Sequence, residues 1–303
     1  MHYRRLLLPV IIMLSCSKPY KSPLADKQLE LPEIKEFCIY SKYLDSRQPF
    51  VLIIPREAKK RNKLPALILM SGRGEAIRSP IEGARAWTKY YGIQNIYAQM
   101  RDQKLPQKIF LNNVKEKHYN AYSTLLKKYP FKEFFIISPK TPDIDRENYD
   151  FDRFEKFLRL ELIPFLSEKY KIDESKIGIN GISLGGLWSL YLGTSHPEFY
   201  RFIGNQQGAF KKHSQKIERN LVANREELKK SNIRLVTSER DYLKQDVIEM
   251  KDILKKHGLK HSFVILDGPH DYIFNQGAGS VDILFYFYIS CFYPEVQDSL
   301  PQD

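Results

Sequence analysis

A chain of 303 residues that is 43% hydrophobic and 13% aromatic can bury a substantial core, which excludes intrinsic disorder except at the termini and fits one catalytic domain. Its 48 Lys and Arg against 36 Asp and Glu give a formal charge of +12; the basic residues are scattered, no nucleic-acid motif accompanies them, and nucleic acid is not expected as a partner. The seven histidines and three cysteines show neither H-E-x-x-H nor C-x-x-C spacing, so no metal and no cofactor is implied.

At the N-terminus, Arg4-Arg5 precede an apolar run from Leu6 to Leu14, and Ser15-Cys16 follow it. This is the layout of a signal peptide, residues 1–15. The run falls well short of the ~20 residues that span a bilayer as a helix. Cys16 directly after it resembles a bacterial lipobox and is the expected lipidation site, although Met13-Leu14-Ser15-Cys16 departs from the commonest pattern; a plain secretory signal with an incidental cysteine is the alternative. Residues 16–32, with Ser17-Lys18-Pro19-Tyr20-Lys21-Ser22-Pro23, read as a flexible tether. The expected location is therefore the bacterial cell envelope, exported and lipid-anchored to a membrane. There the net positive charge would add attraction to anionic head groups.

The catalytic domain is expected over 33–295, with 296–303 as a tail. Leu67-Ile68-Leu69-Met70 predicts a strand leading into Ser71-Gly72-Arg73-Gly74. The next predicted strand, Phe134-Phe135-Ile136-Ile137, comes only after a long stretch, of which 79–130 is expected to be an inserted cap over the site; a helical decoration with solvated charges is the alternative. Lys176 to Leu187 then reads as a strand through Ile177 and Ile179, a sharp turn and a helix. Within it Gly181, Ser183 and Gly185 form G-x-S-x-G, the pattern of a nucleophile elbow: glycines let strand and helix approach closely and leave the serine Oγ exposed.

Such a serine needs a base and an acid, each in a loop after a later strand. Ile233 to Thr237 predicts a strand followed by Ser238-Glu239-Arg240-Asp241, and Asp241 is the expected acid, with Glu239 and Asp246 as rivals. His261 to Leu266 predicts another strand followed by Asp267-Gly268-Pro269-His270-Asp271-Tyr272, and His270 is the expected base. Neutral imidazole takes the serine proton and returns it to the leaving group, while a carboxylate fixes its tautomer. Asp271 is expected to be a turn or helix-cap residue. The apolar run Ile283 to Ile289 is assigned to a core helix. Cys38 and Cys291 are expected to be buried thiols, although an exported chain could also pair them.

With these motifs in hand, the chain resembles the esterase D, or putative-esterase, group of α/β-hydrolases, which includes enterochelin esterase, feruloyl esterase and mycolyltransferase relatives. The likeness rests on the elbow, on Glu161-Leu162-Ile163-Pro164 in the helix before it, on Gln207-Gly208-Ala209-Phe210, similar to a Ser-Gly-Ala-Phe strand end, and on Gly268-Pro269-His270-Asp271-Tyr272, similar to a Gly-Gly-His-Asp-Tyr/Trp box. It implies an α/β-hydrolase fold with a mostly parallel central sheet and helices on both faces. It implies Ser183, Asp241 and His270 as the catalytic set, with backbone N–H groups of Leu184 and of Arg73 or its neighbour as the oxyanion hole. Two departures stand out: Ser71-Gly72 replaces the usual His-Gly, and Gln207 replaces the usual serine. The expected function is hydrolysis of a small-molecule or glycan ester through an acyl-enzyme. Acyl transfer on the same residues, or a non-catalytic surface-binding lipoprotein that keeps the fold, are the alternatives.

Overall fold

The computed structural model describes residues 29–60, 62–144 and 150–303. The signal peptide, nearly all of the tether and Cys16 lie outside the described residues. Eight strands form one sheet: β1 (Glu33–Ser41), β2 (Ser46–Ile54), β3 (Leu64–Met70), β4 (Phe135–Pro139), β5 (Ile172–Gly181), β6 (Tyr200–Gln206), β7 (Asn232–Arg240) and β8 (Ser262–Pro269), in the order β1-β2-β4-β3-β5-β6-β7-β8. The β1–β2 hairpin runs antiparallel and β2 pairs antiparallel with β4, while every pairing from β4 to β8 is parallel. The chain moves from β3 outward to β4 and then returns to place β5 on the other side of β3. The carboxyl ends of β3 and β5 therefore flank the switch point where open α/β sheets bind ligands.

Around the sheet lie α1 (Arg73–Ala76), α2 (Pro80–Ala84), α3 (Ile93–Arg101), α4 (Glu116–Lys128), α5 (Phe151–Phe157), α6 (Ile163–Lys169), α7 (Leu184–Ser195), α8 (Ser214–Ala223), α9 (Arg225–Leu228), α10 (Lys244–Lys256), α11 (Tyr272–Gln276) and α12 (Ala278–Phe292). The central strands are apolar on both faces, as parallel strands covered on both sides must be. Ala66, Ile68 and Met70 of β3 join one core, which α5 to α8 and α10 cover, while Leu67 and Leu69 join a second core covered by α3, α4, α11 and α12. Between α5 and α6 a single wide turn, Leu158–Leu162, precedes Pro164. The π-type turn there accommodates a residue that has no N–H to donate to the preceding turn.

Residues 79–130, expected as a cap, pack chiefly into the second core. Trp87, Tyr91, Tyr97, Phe110 and Tyr122 are fully buried there beside the aromatic run of α12. Length and aromatic content do not say which way a helix turns its apolar face, and here it turns toward the sheet. The packing is pinned by a buried ion pair, Arg234 of β7 with Asp282 of α12, whose carboxylate also accepts from Tyr122 Oη at 2.6 Å and from Gln206 Nε2 at 3.2 Å.

The last residues, expected as a tail, are part of the fold: Leu300 is buried, Arg234 donates to the carbonyl of Pro301 at 3.1 Å, and Asp303 N donates to Phe263 O of β8 at 3.0 Å. Cys38 and Cys291 are both free thiols, Cys291 buried and Cys38 partly exposed. Burial pushes the Cys291 thiol well up. Among the described residues no helix is long and apolar enough to cross a membrane.

Candidate active site

The elbow stands at the carboxyl end of β5. Ser183 has φ 56° and ψ −116°, a conformation that side-chain-bearing residues rarely adopt and that costs of the order of 1–3 kcal/mol unless the surroundings hold it. They do hold it: Ser183 N donates to Gln206 O at 2.9 Å, and Ser183 O accepts from Leu187 N at 3.1 Å and Ala209 N at 3.2 Å. The flanking glycines are required by close approach. A Cβ on Gly181 would stand 2.3 Å from the carbonyl oxygen of Gly185, and one on Gly185 would stand 2.2 Å from that of Met70. The same crowding brings the end of β3 against the elbow, with Ile182 N bonded to Met70 O at 3.2 Å.

Asp241 and His270 follow β7 and β8 by one residue each, and the register pairs Arg240 with Pro269 immediately before them. Strand pairing thus delivers both groups to one place. His270 Nδ1 lies 2.7 Å from Asp241 Oδ1, with the Asp241 side chain fully buried and that of His270 11% exposed. The carboxylate is itself fixed: Leu243 N donates to Oδ1 at 2.8 Å and Thr237 Oγ1 to Oδ2 at 2.6 Å. The ring of Tyr242 packs on the imidazole with centroids 4.3 Å apart. Among the described residues no hydrogen bond joins Ser183 Oγ to His270.

The rival carboxylates are engaged elsewhere. Glu239 lies between Lys115 Nζ at 2.6 Å and Lys244 Nζ at 2.8 Å, and these ammonium groups hold it down at about 2. Asp246 accepts from Lys211 N at 3.2 Å, and Asp271 caps α11 by accepting from Ile273 N at 2.7 Å, as its place before that helix led one to expect.

Leu184 and Arg73 are the first residues of α7 and α1, and the first N–H groups of a helix have no acceptor within it. The loop after β3 is set by Ser71 N donating to Thr141 Oγ1 at 2.7 Å and Gly72 N donating to Tyr91 Oη at 3.2 Å. Gly72 N–H is thereby occupied, so the donor this loop can offer lies at Arg73 or beyond. Arg73 Nε is 3.4 Å from Asp143 Oδ1.

Sequence reasoning missed Glu75, which is buried and joins three segments. It accepts from the hydroxyl of Tyr91 and, at 2.5 Å, from that of Tyr272, two residues past His270. Burial, and then the Glu75 charge, push the Tyr91 hydroxyl well up. Thr237 was missed as well, although its partner Asp241 lies only four residues on; Gln207 was noted only as a departure, since its partners Ser238 and Pro269 belong to other strands. Among the described residues no group of three or more His, Cys, Asp or Glu is placed to hold a metal ion.

A mostly parallel sheet with helices on both faces and a serine elbow after its central strand define an α/β-hydrolase, here a carboxylic ester hydrolase. Residues 41–216 match the family model described as Putative esterase, and the chain belongs to that family. No curated protein matches it. Among solved structures it is similar to a ferulic acid esterase, at 16% identity over 85% of this chain and 98% of the other with a TM-score of 0.64. It is also similar to a ferulic acid esterase from the anaerobic fungus Anaeromyces mucronatus, at 17% identity over 88% and 94% with a TM-score of 0.60. A third likeness is to an S-formylglutathione hydrolase from Staphylococcus aureus, at 13% identity over 83% and 98% with a TM-score of 0.56.

Proposed function

We propose that the protein hydrolyses its ester through an acyl-enzyme, with Ser183 as nucleophile, His270 as general base and then acid, and Asp241 as the carboxylate that orients and stabilises the imidazolium. The observation that carries this reading is the 2.7 Å contact between His270 Nδ1 and the buried Asp241. Nδ1–H donates to the carboxylate, which leaves Nε2 as the lone-pair nitrogen that can accept the Ser183 proton.

In this mechanism Ser183 Oγ attacks the ester carbonyl as its proton passes to His270 Nε2, and the oxyanion forms against the N–H groups of Leu184 and Arg73. His270 then protonates the departing alkoxide. Water repeats the sequence on the acyl-enzyme, releasing the acid and restoring the serine. The open Ser183–His270 link suits this reading, because catalytic hydrogen bonds are often long without substrate and tighten when it binds.

The substrate is a small-molecule or glycan ester. Support comes from the family and from the likeness to ferulic acid esterases and to an S-formylglutathione hydrolase. With an alcohol acceptor in place of water the same residues would transfer the acyl group. Cys16, behind its apolar run, would carry the lipid that holds the enzyme to a membrane of the bacterial envelope, and fractionation of native cells for membrane-bound against lipid-free protein tests that placement.

A fluorophosphonate probe tests the mechanism. Labelling should map to Ser183 by peptide mass, and Ser183→Ala should abolish both labelling and hydrolysis of an activated ester, a loss on the order of 10⁶-fold in such triads. A folded Ser183→Ala protein that retains a substantial fraction of the rate would overturn the assignment.

A further inference from the structure

Gln207 stands one residue past the end of β6, and its environment is unusual in three ways. Its φ is 48°, in the left-handed region that glycine or asparagine takes at least cost. Its side chain is fully buried. Its Nε2 donates both to Ser238 Oγ at 2.6 Å and to the carbonyl oxygen of Pro269 at 3.1 Å. A carbonyl can only accept, so the amide must face it with nitrogen. Its backbone N–H is committed to Val236 O at 2.7 Å, which fixes the point from which the side chain departs.

These contacts fall at the two places that present the acid and the base. Ser238 is in β7 and its carbonyl accepts from Asp241 N at 3.2 Å. Pro269 is the last residue of β8, directly before His270. Strand β8 is the edge of the sheet, and one side chain from just past the end of β6 reaches across β7 to it. A serine at the same position, two carbons shorter, cannot touch both partners. The buried Oε1 has no hydrogen-bond partner among the described residues, and a strained backbone with a half-satisfied amide is a poor choice for stability alone.

We propose that Gln207 is a positioning residue for the base: it braces the end of β8 against β7 so that His270 keeps its register with Asp241 and its reach toward Ser183. The proposal rests on the reading of His270 as the catalytic base.

The test is Gln207→Gly, which relieves the left-handed backbone while removing the brace, together with Gln207→Glu, which keeps the shape but sets a carboxylate against the Pro269 carbonyl. Steady-state kinetics on an activated ester should show kcat lower by about 10- to 100-fold in both, the scale expected when a catalytic group is misplaced by an ångström or less. KM should be nearly unchanged. The downfield proton resonance of His270 Nδ1–H should shift or broaden in Gln207→Gly, whereas a residue that only stabilised the fold would change the melting temperature and leave that proton in place. A folded Gln207→Gly with kcat within about twofold of wild type, or with its loss carried by KM, overturns the brace; should that variant not fold, Gln207→Ser is read by the same criteria. Either result, found alongside an inactive Ser183→Ala, sinks the brace alone, whereas an active Ser183→Ala sinks the triad reading beneath it.

Discussion

Replacing Asp241 by asparagine separates two things the carboxylate does, and the structure indicates which survives. Oδ1 faces two donors, His270 Nδ1 at 2.7 Å and Leu243 N at 2.8 Å, while Oδ2 faces the Thr237 hydroxyl at 2.6 Å. A backbone N–H cannot accept, so the amide oxygen of asparagine must take the Oδ1 position and its NH₂ must face Thr237, whose hydroxyl can turn to accept. His270 therefore keeps the acceptor that holds its proton on Nδ1, and the tautomer is preserved. What is lost is the charge that stabilises the imidazolium. Two unit charges about 4 Å apart at an effective dielectric of 20 interact by about 4 kcal/mol, which corresponds to roughly a 10³-fold loss in kcat. Where the amide also inverts the tautomer, a serine protease loses about 10⁴-fold, and Asp241→Asn should fall short of that. The assay is kcat on an activated ester with a matched melting curve, and Glu239→Gln serves as the control with a small effect. A loss below about tenfold in Asp241→Asn would refute the reasoning, and a larger loss in Glu239→Gln than in Asp241→Asn would move the acid to Glu239.

Two stability predictions follow from other charged groups. Asp282→Asn breaks the buried pair with Arg234 and leaves a guanidinium in the core; such losses run at about 3–5 kcal/mol, readable as a shift in the denaturant midpoint, and a change under about 1 kcal/mol would show that the pair is not what holds α12 to β7. Glu82 is held down at about 2, first by Lys89 and then by Tyr90 and Arg85. A carboxylate lowered on folding stabilises above its unfolded value near 4.5 and loses that contribution as the pH falls toward 2. Wild type should therefore out-melt Glu82→Gln at neutral pH, with the gap closing between those values; a gap that widens on acidification would reverse the sign.

The candidate site was legible in the sequence where it depends on a local run. The elbow shows itself because G-x-S-x-G sits between an apolar strand and an apolar helix, and the loops bearing Asp241 and His270 show themselves because each follows a short apolar strand in the order such folds use. Asp241 was preferred there to Glu239 and Asp246, but the stretch is too short to show which way each points, and the course of β7 that turns Glu239 outward to Lys115 brings in a residue more than a hundred positions away. Gln207 was legible as a departure but not in its consequence, since its two partners lie 31 and 62 residues further on. How residues 79–130 pack was not legible for a different reason. Aromatic and basic side chains in a long insertion suit a lid as well as a layer, and the buried Asp282 that draws Tyr122 inward is far from it in sequence.

The register of β7 with β8 has a thermal consequence. His270, the proposed base, directly follows the edge strand, which pairs with β7 on one side and on its other side, among the described residues, has backbone groups hydrogen-bonded to Asp303. Edge strands open at lower free energy than the centre of a sheet. Fraying of β8 would carry His270 away while β3, β5 and the elbow remain packed. On heating, esterase activity should vanish at a temperature where far-UV ellipticity and the amide protons of β3 and β5 still report a folded protein, and it should return on brief cooling, because an edge strand re-pairs far faster than a denatured chain refolds.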